Sequence, residues 1–323
     1  MRRGNNAQAL TNVGITVIAT RKKKRIPQRI SLMKNQYLGD IGDYGKYGLL
    51  RFLASKGIQI GVNWYLTKND NSNDGKFKKY LDREKEPWMI DQDLFDQLQI
   101  IKSNPKSTVM AVKAHNLIPG AVYYASCLDL TDLTPQERSI TRDQWFAESS
   151  ICLQNSNMIF ADPDNGISFR LTSRAKNNEK YIFPSDIETY YKMGKDVVFY
   201  CHKGRRNNAA WLKVRADLIA ILGDAYTLTL TYHRGTQRSY IFAIHPERLQ
   251  TYWDMLREFV DTDWKQVFEI EPVWQSLDVF QTVYPTKHEK EKALEAMSNE
   301  EIDHLISTSN NTYGKIFYSS FKK

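Results

Sequence analysis

Residues 157–167 read NMIFADPDNGI. Three large apolar residues and an alanine run together and then give way, within five positions, to Asp162, Pro163, Asp164, Asn165 and Gly166. An unbroken apolar run is what a strand needs when both faces of its sheet are covered, as in a parallel sheet under helices. The polar cluster after it has two readings. Pro, Asp, Asn and Gly favour tight turns, so one reading is an Asx-type turn that closes the strand. The other is an active-site loop, because ligands of open α/β sheets bind outside the carboxyl ends of the strands.

The flanking sequence extends the pattern. IQIGVNWYL (58–66), AVYYASCLDL (121–130), DVVFYCH (196–202), YTLTLTYH (226–233) and RSYIFAIH (238–245) are rich in β-branched and aromatic residues and predict strands. Helical spacing predicts helices near 43–56, 76–82, 91–102, 136–155, 184–194, 207–222 and 247–261. Asp43 is the expected cap of the first helix, and Ser185 or Asp186 that of the helix at 184. The alternation predicts an α/β fold: a Rossmann-like, mostly parallel sheet with helices on both faces, closed by a C-terminal antiparallel hairpin around RGTQ (234–237). The expected organisation is a basic, disordered tail at 1–32, the α/β domain at 33–262, and an appended helical element at 263–323.

Composition narrows the class of protein. A chain of 323 residues with 41% hydrophobic and 12% aromatic residues is globular. No apolar run approaches the roughly 20 residues of a membrane span, so no membrane association is expected. Cys127, Cys152 and Cys201 are odd in number, widely spaced and without a CxxC, which points to a reducing compartment such as the cytoplasm. The net charge of +8 is concentrated. Residues 1–32 carry eight basic residues and no acid, including RKKKR at 21–25, and the remaining 37 basic and 37 acidic residues cancel. The basic segment suits nucleic-acid binding or an address signal.

The carboxyl ends of three expected strands supply the candidate residues. Asp162 and Asp164 with Asn165 offer hard oxygen ligands suited to Mg²⁺ or Mn²⁺, the ions that phosphoester chemistry requires. Gly166 completes that loop. His202, Lys203, Arg205 and Arg206 follow the next strand as CHKGRR, a set suited to phosphate, with His202 as the best general acid or base. The alternative reading of that stretch is a solvated basic turn. After the first strand, Tyr65, Asp70, Asp74 and Gly75 lie in or beside a polar run that reads either as a ribose or metal site or as an exposed loop. Ahead of it, Asn35, Tyr37, Asp40 and Lys46 flank the first helix and can reach the strand ends.

Two of these stretches resemble class I Rossmann-like methyltransferases, most closely the bacterial adenine-N6 methyltransferases of 23S ribosomal RNA. GDIGDYGKYGLLRFL (39–53) is similar to their Gly-Asn-His-Ala-Asp-x-x-Lys-His segment, and Asp162-Pro163-Asp164-Asn165 stands where they carry the catalytic Asp-Pro-Pro-Tyr. The resemblance implies S-adenosylmethionine as cofactor and nucleic acid or a nucleotide as partner. The candidates taken together are Asp162, Asp164, Asn165, His202 and Lys203 for catalysis, and Asp40, Tyr65, Asp70, Asp74 and Gly75 for the cofactor. Asn35, Tyr37, Lys46, Gly166, Arg205 and Arg206 then contact substrate. The chain departs from the family in two places: WYLTKNDNSNDGK (64–76) replaces a Gly-rich turn, and Asp164-Asn165 replaces Pro-Tyr, leaving the stacking role to Tyr65, Tyr181 or Phe183. A metal-dependent nuclease or phosphoesterase built on Asp162 and Asp164 is the alternative expectation, and a non-catalytic binding protein the third. The chain is also similar, over about residues 33–260, to uncharacterised bacterial proteins with NQY-GD and DPDNG, which imply no activity.

Overall fold

Seven strands form one mixed sheet in the order β2-β1-β3-β4-β6-β5-β7. In chain order these are β1 (Ile60–Asn63), β2 (Val122–Tyr124), β3 (Met158–Ala161), β4 (Asp196–Cys201), β5 (Tyr226–Tyr232), β6 (Arg238–Ile244) and β7 (Phe268–Ile270). The computed structural model describes residues 38–68, 78–82, 89–104, 107–271 and 286–299, with Ile302 and Leu305. The basic segment 1–32 lies outside them.

The first four strands pair in parallel, and β6 pairs antiparallel with both β4 and β5. The α/β fold expected from the sequence is therefore present, with its antiparallel hairpin as β5 and β6. Strand β6 lies between β4 and β5, so β5 again points the way of the parallel strands. Asn63, Ala161 and Phe199 are level across the sheet. The loops after β1, β3 and β4 consequently leave along one edge. From β1 the chain moves to β2 on one side and then returns to β3 on the other. The gap between β1 and β3 is thus a topological switch point, where open sheets form their crevice.

Strand residues alternate between two cores. Ile60, Val62, Trp64, Met158, Phe160 and Val198 cluster with α1 (Ile41–Ser55), α2 (Gln92–Ser103) and α7 (Leu249–Asp261). Ile159, Ala161, Val197, Phe199 and Cys201 cluster with α4 (Pro135–Cys152), α5 (Pro184–Lys192) and α6 (Asn208–Leu222). The remaining helices among the described residues of that length class are the short α3 (Met110–Ala114) and α8 (Lys287–Glu295).

Helix α1 is set unusually close to its neighbours. Gly42, Gly45 and Gly48 recur every third residue and leave a bare strip of backbone. A Cβ at Gly42 would enter the Arg238 guanidinium, one at Gly45 would stand 2.5 Å from the Tyr232 ring, and one at Gly48 would enter the Trp264 indole. Tyr232 also donates its hydroxyl to the Ile41 carbonyl at 3.0 Å.

Four local expectations are corrected. Asp40, not Asp43, caps α1: its extended backbone stands outside the helix and its carboxylate accepts from Asp43 N at 2.9 Å. Asp186 reaches back from the first turn of α5 to Phe183 N at 3.0 Å, so Phe183 occupies the cap position. The expected strand at 121–130 stops at Tyr124, because the chain beyond it follows the loop after β1, with Leu128 N bonded to Leu66 O at 2.7 Å. The described part of 76–82 is a single 3-10 turn, Lys79–Asp82. Beyond α7, Phe268–Ile270 pairs with β5 and extends the sheet.

Candidate active site at the switch point

A cavity of about 130 Å³ opens at the carboxyl edge between β1 and β3, against the first two turns of α1. Asp162 and Asp164 line it from the end of β3, Trp64 and Thr67 from the end of β1, Asp43 and Lys46 from α1, Asp40 from the cap of α1, and Arg238 from β6. At its centre is an ion-pair relay. Lys46 Nζ lies 2.6 Å from Asp162 Oδ2 and 2.7 Å from Asp43 Oδ1. Asp43 Oδ2 in turn accepts from Gly39 N at 2.8 Å. Helical spacing brings Asp43 and Lys46 to the same side of α1, since they are three residues apart. The ammonium also sits 5.2 Å from the centres of the Tyr47 and Trp64 rings.

Electrostatics follow from burial. Burial would lower the Lys46 ammonium's pKa, but the Asp162 and Asp43 carboxylates outweigh it and hold that group well above its ordinary value. Burial pushes the Asp162 carboxyl up, and Lys46 offsets this only in part. Asp40 is likewise raised, by burial and by the neighbouring Asp43, against the pull of Arg238. Four carboxylates and two cations line the cavity.

Arg238 lies across Gly42 and gives Nη2 to Asp40 Oδ2 at 2.8 Å. Its Nη1 has no hydrogen-bond partner among the described residues, and neither do Trp64 Nε1 and Thr67 Oγ1. All three belong to residues lining this cavity. The three atoms themselves are buried, with almost no surface open to the cavity.

Asn63 ties the two strand ends together. Its carbonyl accepts from Asp162 N at 3.0 Å, its Oδ1 accepts from Tyr65 N at 3.3 Å, and its Nδ2 donates to Tyr190 OH at 3.1 Å. Two residues further on, Tyr65 has φ +46°, a left-handed conformation that bulky residues rarely adopt. Gly166 also has a positive φ, +78°, and a Cβ there would lie 2.7 Å from Cys201 Sγ, so glycine is required where this loop passes β4.

The sequence-derived candidates divide into three groups. Asp40, Lys46, Asp162 and Asp164 come together on the cavity. Tyr65 also borders it, but its ring is buried edge-on against Trp145 and its hydroxyl donates to Asp186 at 3.1 Å. Phe183 is covered by the Arg142 guanidinium, 4.1 Å from its ring centre. Asn165 donates its backbone N–H to Lys180 O at 2.9 Å. The loop after β4 lies one step further out. His202 Nδ1 is 3.3 Å from the hydroxyl of Tyr200, which lines the cavity, while Arg206 folds back on the His202 carbonyl at 2.8 Å and Arg205 is exposed. Lys203 is half-buried beside them. Burial lowers the His202 pKa, as do Arg206 and Arg238. Asn35, Tyr37, Asp70, Asp74 and Gly75 lie outside the described residues.

Sequence reasoning assigned no site role to Arg238, Trp64, Thr67 or Asn63. The glycines at 39, 42, 45 and 48 were the available signal for Arg238, because a helix strip without side chains must be covered by something large. Among the described residues no group of three or more His, Cys, Asp or Glu side chains converges as a metal would require. No described helix is long and apolar enough to cross a membrane.

No family model and no curated protein matches the chain. Among solved structures, it aligns with the crystal structure of a Legionella pneumophila protein assigned to the family DUF519, at a TM-score of 0.35 and 13% identity, over 74% of this chain and 97% of that one.

Proposed function

We propose that the cavity is the active site of an S-adenosylmethionine-dependent methyltransferase acting on an amine of nucleic acid. One observation carries this reading. Lys46 bonds Asp162 at 2.6 Å and so joins the two separate stretches, 39–53 and 162–165, whose sequences resemble one methyltransferase family. The lining also suits the cofactor. An excess of carboxylates favours a sulfonium cation. When bound, the cofactor supplies the methyl group. The chain's own task is to hold the acceptor. Lys46 fixes one oxygen of Asp162, which leaves the other oxygen, with a carbonyl of the same loop, to accept from the amine N–H groups.

The test is calorimetric titration of the full chain with S-adenosylmethionine, together with transfer of labelled methyl to RNA. Binding and transfer, with transfer lost in Asp162→Asn, are expected; the absence of heat and of any thermal shift removes the reading. The alternative, Mg²⁺- or Mn²⁺-dependent phosphoester cleavage, draws support from Asp162 and Asp164 sharing one cavity. An ion there has to compete with the ammonium already bonded to Asp162, whereas methyl transfer retains that pair.

A further inference from the structure

A second cavity, of about 250 Å³, opens on the α4–α5 face of the sheet, between α4, the first turn of α5 and the loop 168–181. It shares no lining residue with the switch-point cavity. The loop is closed at its base, where Ser168 N donates to Ile182 O at 3.1 Å and Ile182 N to Gly166 O at 3.0 Å. Inside it, the buried Asn178 gives Nδ2 to the carbonyls of Ser173 and Ala175, both at 2.8 Å. The wall is therefore set before any ligand arrives, as in the compact loops that often carry function.

Asp186 presents an unused acceptor to this space. Its Oδ2 accepts from Tyr65 OH, Phe183 N and Arg142 Nη2. Its Oδ1 accepts nothing among the described residues, although the side chain is only 8% exposed. Unlike Arg238 Nη1, that oxygen keeps open surface, and Asp186 borders the cavity. A nearly buried acceptor of this kind gains most from a donor that a ligand brings. Donors line the same space. Ser168 Oγ accepts from Leu171 N at 3.2 Å and Arg170 N at 3.4 Å, which leaves its O–H to give. The Ser185 N–H lies in the first turn of α5, where no intrahelical acceptor exists. The exposed hydroxyls of Thr172 and Ser185 can both give and accept.

Charge and size select the ligand. Asp143 and Asp186 repel a phosphate or carboxylate. Arg142, 2.6 Å from Asp186, already balances that carboxylate, so an ammonium gains little there. A neutral ligand with many hydroxyls suits walls that hold donors and acceptors together. The volume is just below the usual ~300–1,000 Å³ of small-ligand pockets, which leaves room for one ring. Phe169, 37% exposed, lines the same cavity and offers an apolar surface to the C–H face of such a ring.

We infer that this cavity is a second ligand site that takes one neutral sugar ring, whose hydroxyls bond Asp186 Oδ1, Asp143, Ser168, Thr172 and Ser185. The inference stands whatever the switch-point cavity binds. The full chain is titrated with D-ribose, D-glucose and D-galactose, and binding is followed by saturation-transfer difference NMR. Saturable binding of at least one is expected. Thr172→Val, which removes a hydroxyl at nearly constant volume, and Phe169→Ala should each weaken it about fivefold. Cooperative melting of both variants verifies that they are folded. Failure of all three sugars to saturate the chain overturns the inference, as does binding that either variant leaves unchanged. Methylammonium or inorganic phosphate that binds more tightly than the sugars, and is weakened by the same substitutions, would assign the cavity to a charged ligand and overturn it as well.

Discussion

Two aspartates on opposite faces of the sheet, Asp162 half-buried and Asp186 buried, have the same apparent chemistry and different surroundings. Asp162 holds Lys46 at 2.6 Å, and Asp186 holds Arg142 at 2.6 Å. Burial raises the pKa of both carboxyls against the pull of the paired cation. Asp186, however, also accepts from Tyr65 OH and Phe183 N, and Arg142 gives its remaining bonds to the carbonyls of Asn178 and Tyr181. Both pairs border a cavity, but three further carboxylates, Asp40, Asp43 and Asp164, line the one at Asp162, against Asp143 alone at the other. A buried ion pair therefore says little by itself. What differs between the two pairs is how many hydrogen bonds the carboxylate and its cation already receive and give.

The largest effect is expected at the structural pair. Arg142→Met strands the Asp186 charge and should cost about 3–5 kcal/mol of folding free energy, read as a shifted urea midpoint. Asp162→Asn should do the reverse. It leaves Lys46 paired with Asp43, costs only about 1–2 kcal/mol of stability, and reduces methyl transfer about 100-fold, or ~2.7 kcal/mol of transition-state stabilisation. Equal stability losses in the two variants would erase the distinction. Gly45→Ala tests the support beneath the site. Overpacking against Tyr232 should cost about 1–3 kcal/mol and lower the melting temperature, and a neutral result would mean that α1 can withdraw from β5.

The smallest effect concerns His202, which stands one hydroxyl away from the cavity. Its folded pKa lies below the ordinary 6.5, with burial as the main cause. Its contribution to stability is therefore complete above pH 6.5 and is lost as pH falls through the lowered folded value, because the unfolded chain takes up the proton first. His202→Gln should remove that part of the acid sensitivity, measured by urea melts at about pH 7.5 and 5.5. Identical pH dependence in the two proteins would place His202 in solvent.

Much of this arrangement was legible in the sequence. Apolar runs such as MIFA and DVVFYC announce strands covered on both faces, and the structure has β3 and β4 at those positions. Asp162 and Lys46 were recognisable as candidates from the loop and helix that carry them. Their pairing was not, because the two lie 116 residues apart and only the closeness of α1 to the sheet edge brings them together. Asp43 was misread as a cap for a related reason. Asp and Asn serve equally at a cap or in a first turn, and only backbone geometry shows that Asp40 holds the outer position. Arg238 was signalled only indirectly, by the α1 glycines it covers nearly 200 residues away, and Thr67 carries no signal in its own stretch of sequence.

The glycine strip of α1 also fixes an order of events. Its covering groups, Arg238, Tyr232 and Trp264, all belong to the later part of the chain, and the bonds that hold them lie 191 and 198 residues from their partners in sequence. A nascent polypeptide that has been synthesised only through α6 has nothing to lay on that strip. The first helix emerges early from the ribosome but gains its proper bed late, and with it the relay from Asp43 to Asp162. Contacts this distant in sequence slow folding. They also mean that a prematurely terminated chain lacks a finished cavity until the last strands have docked.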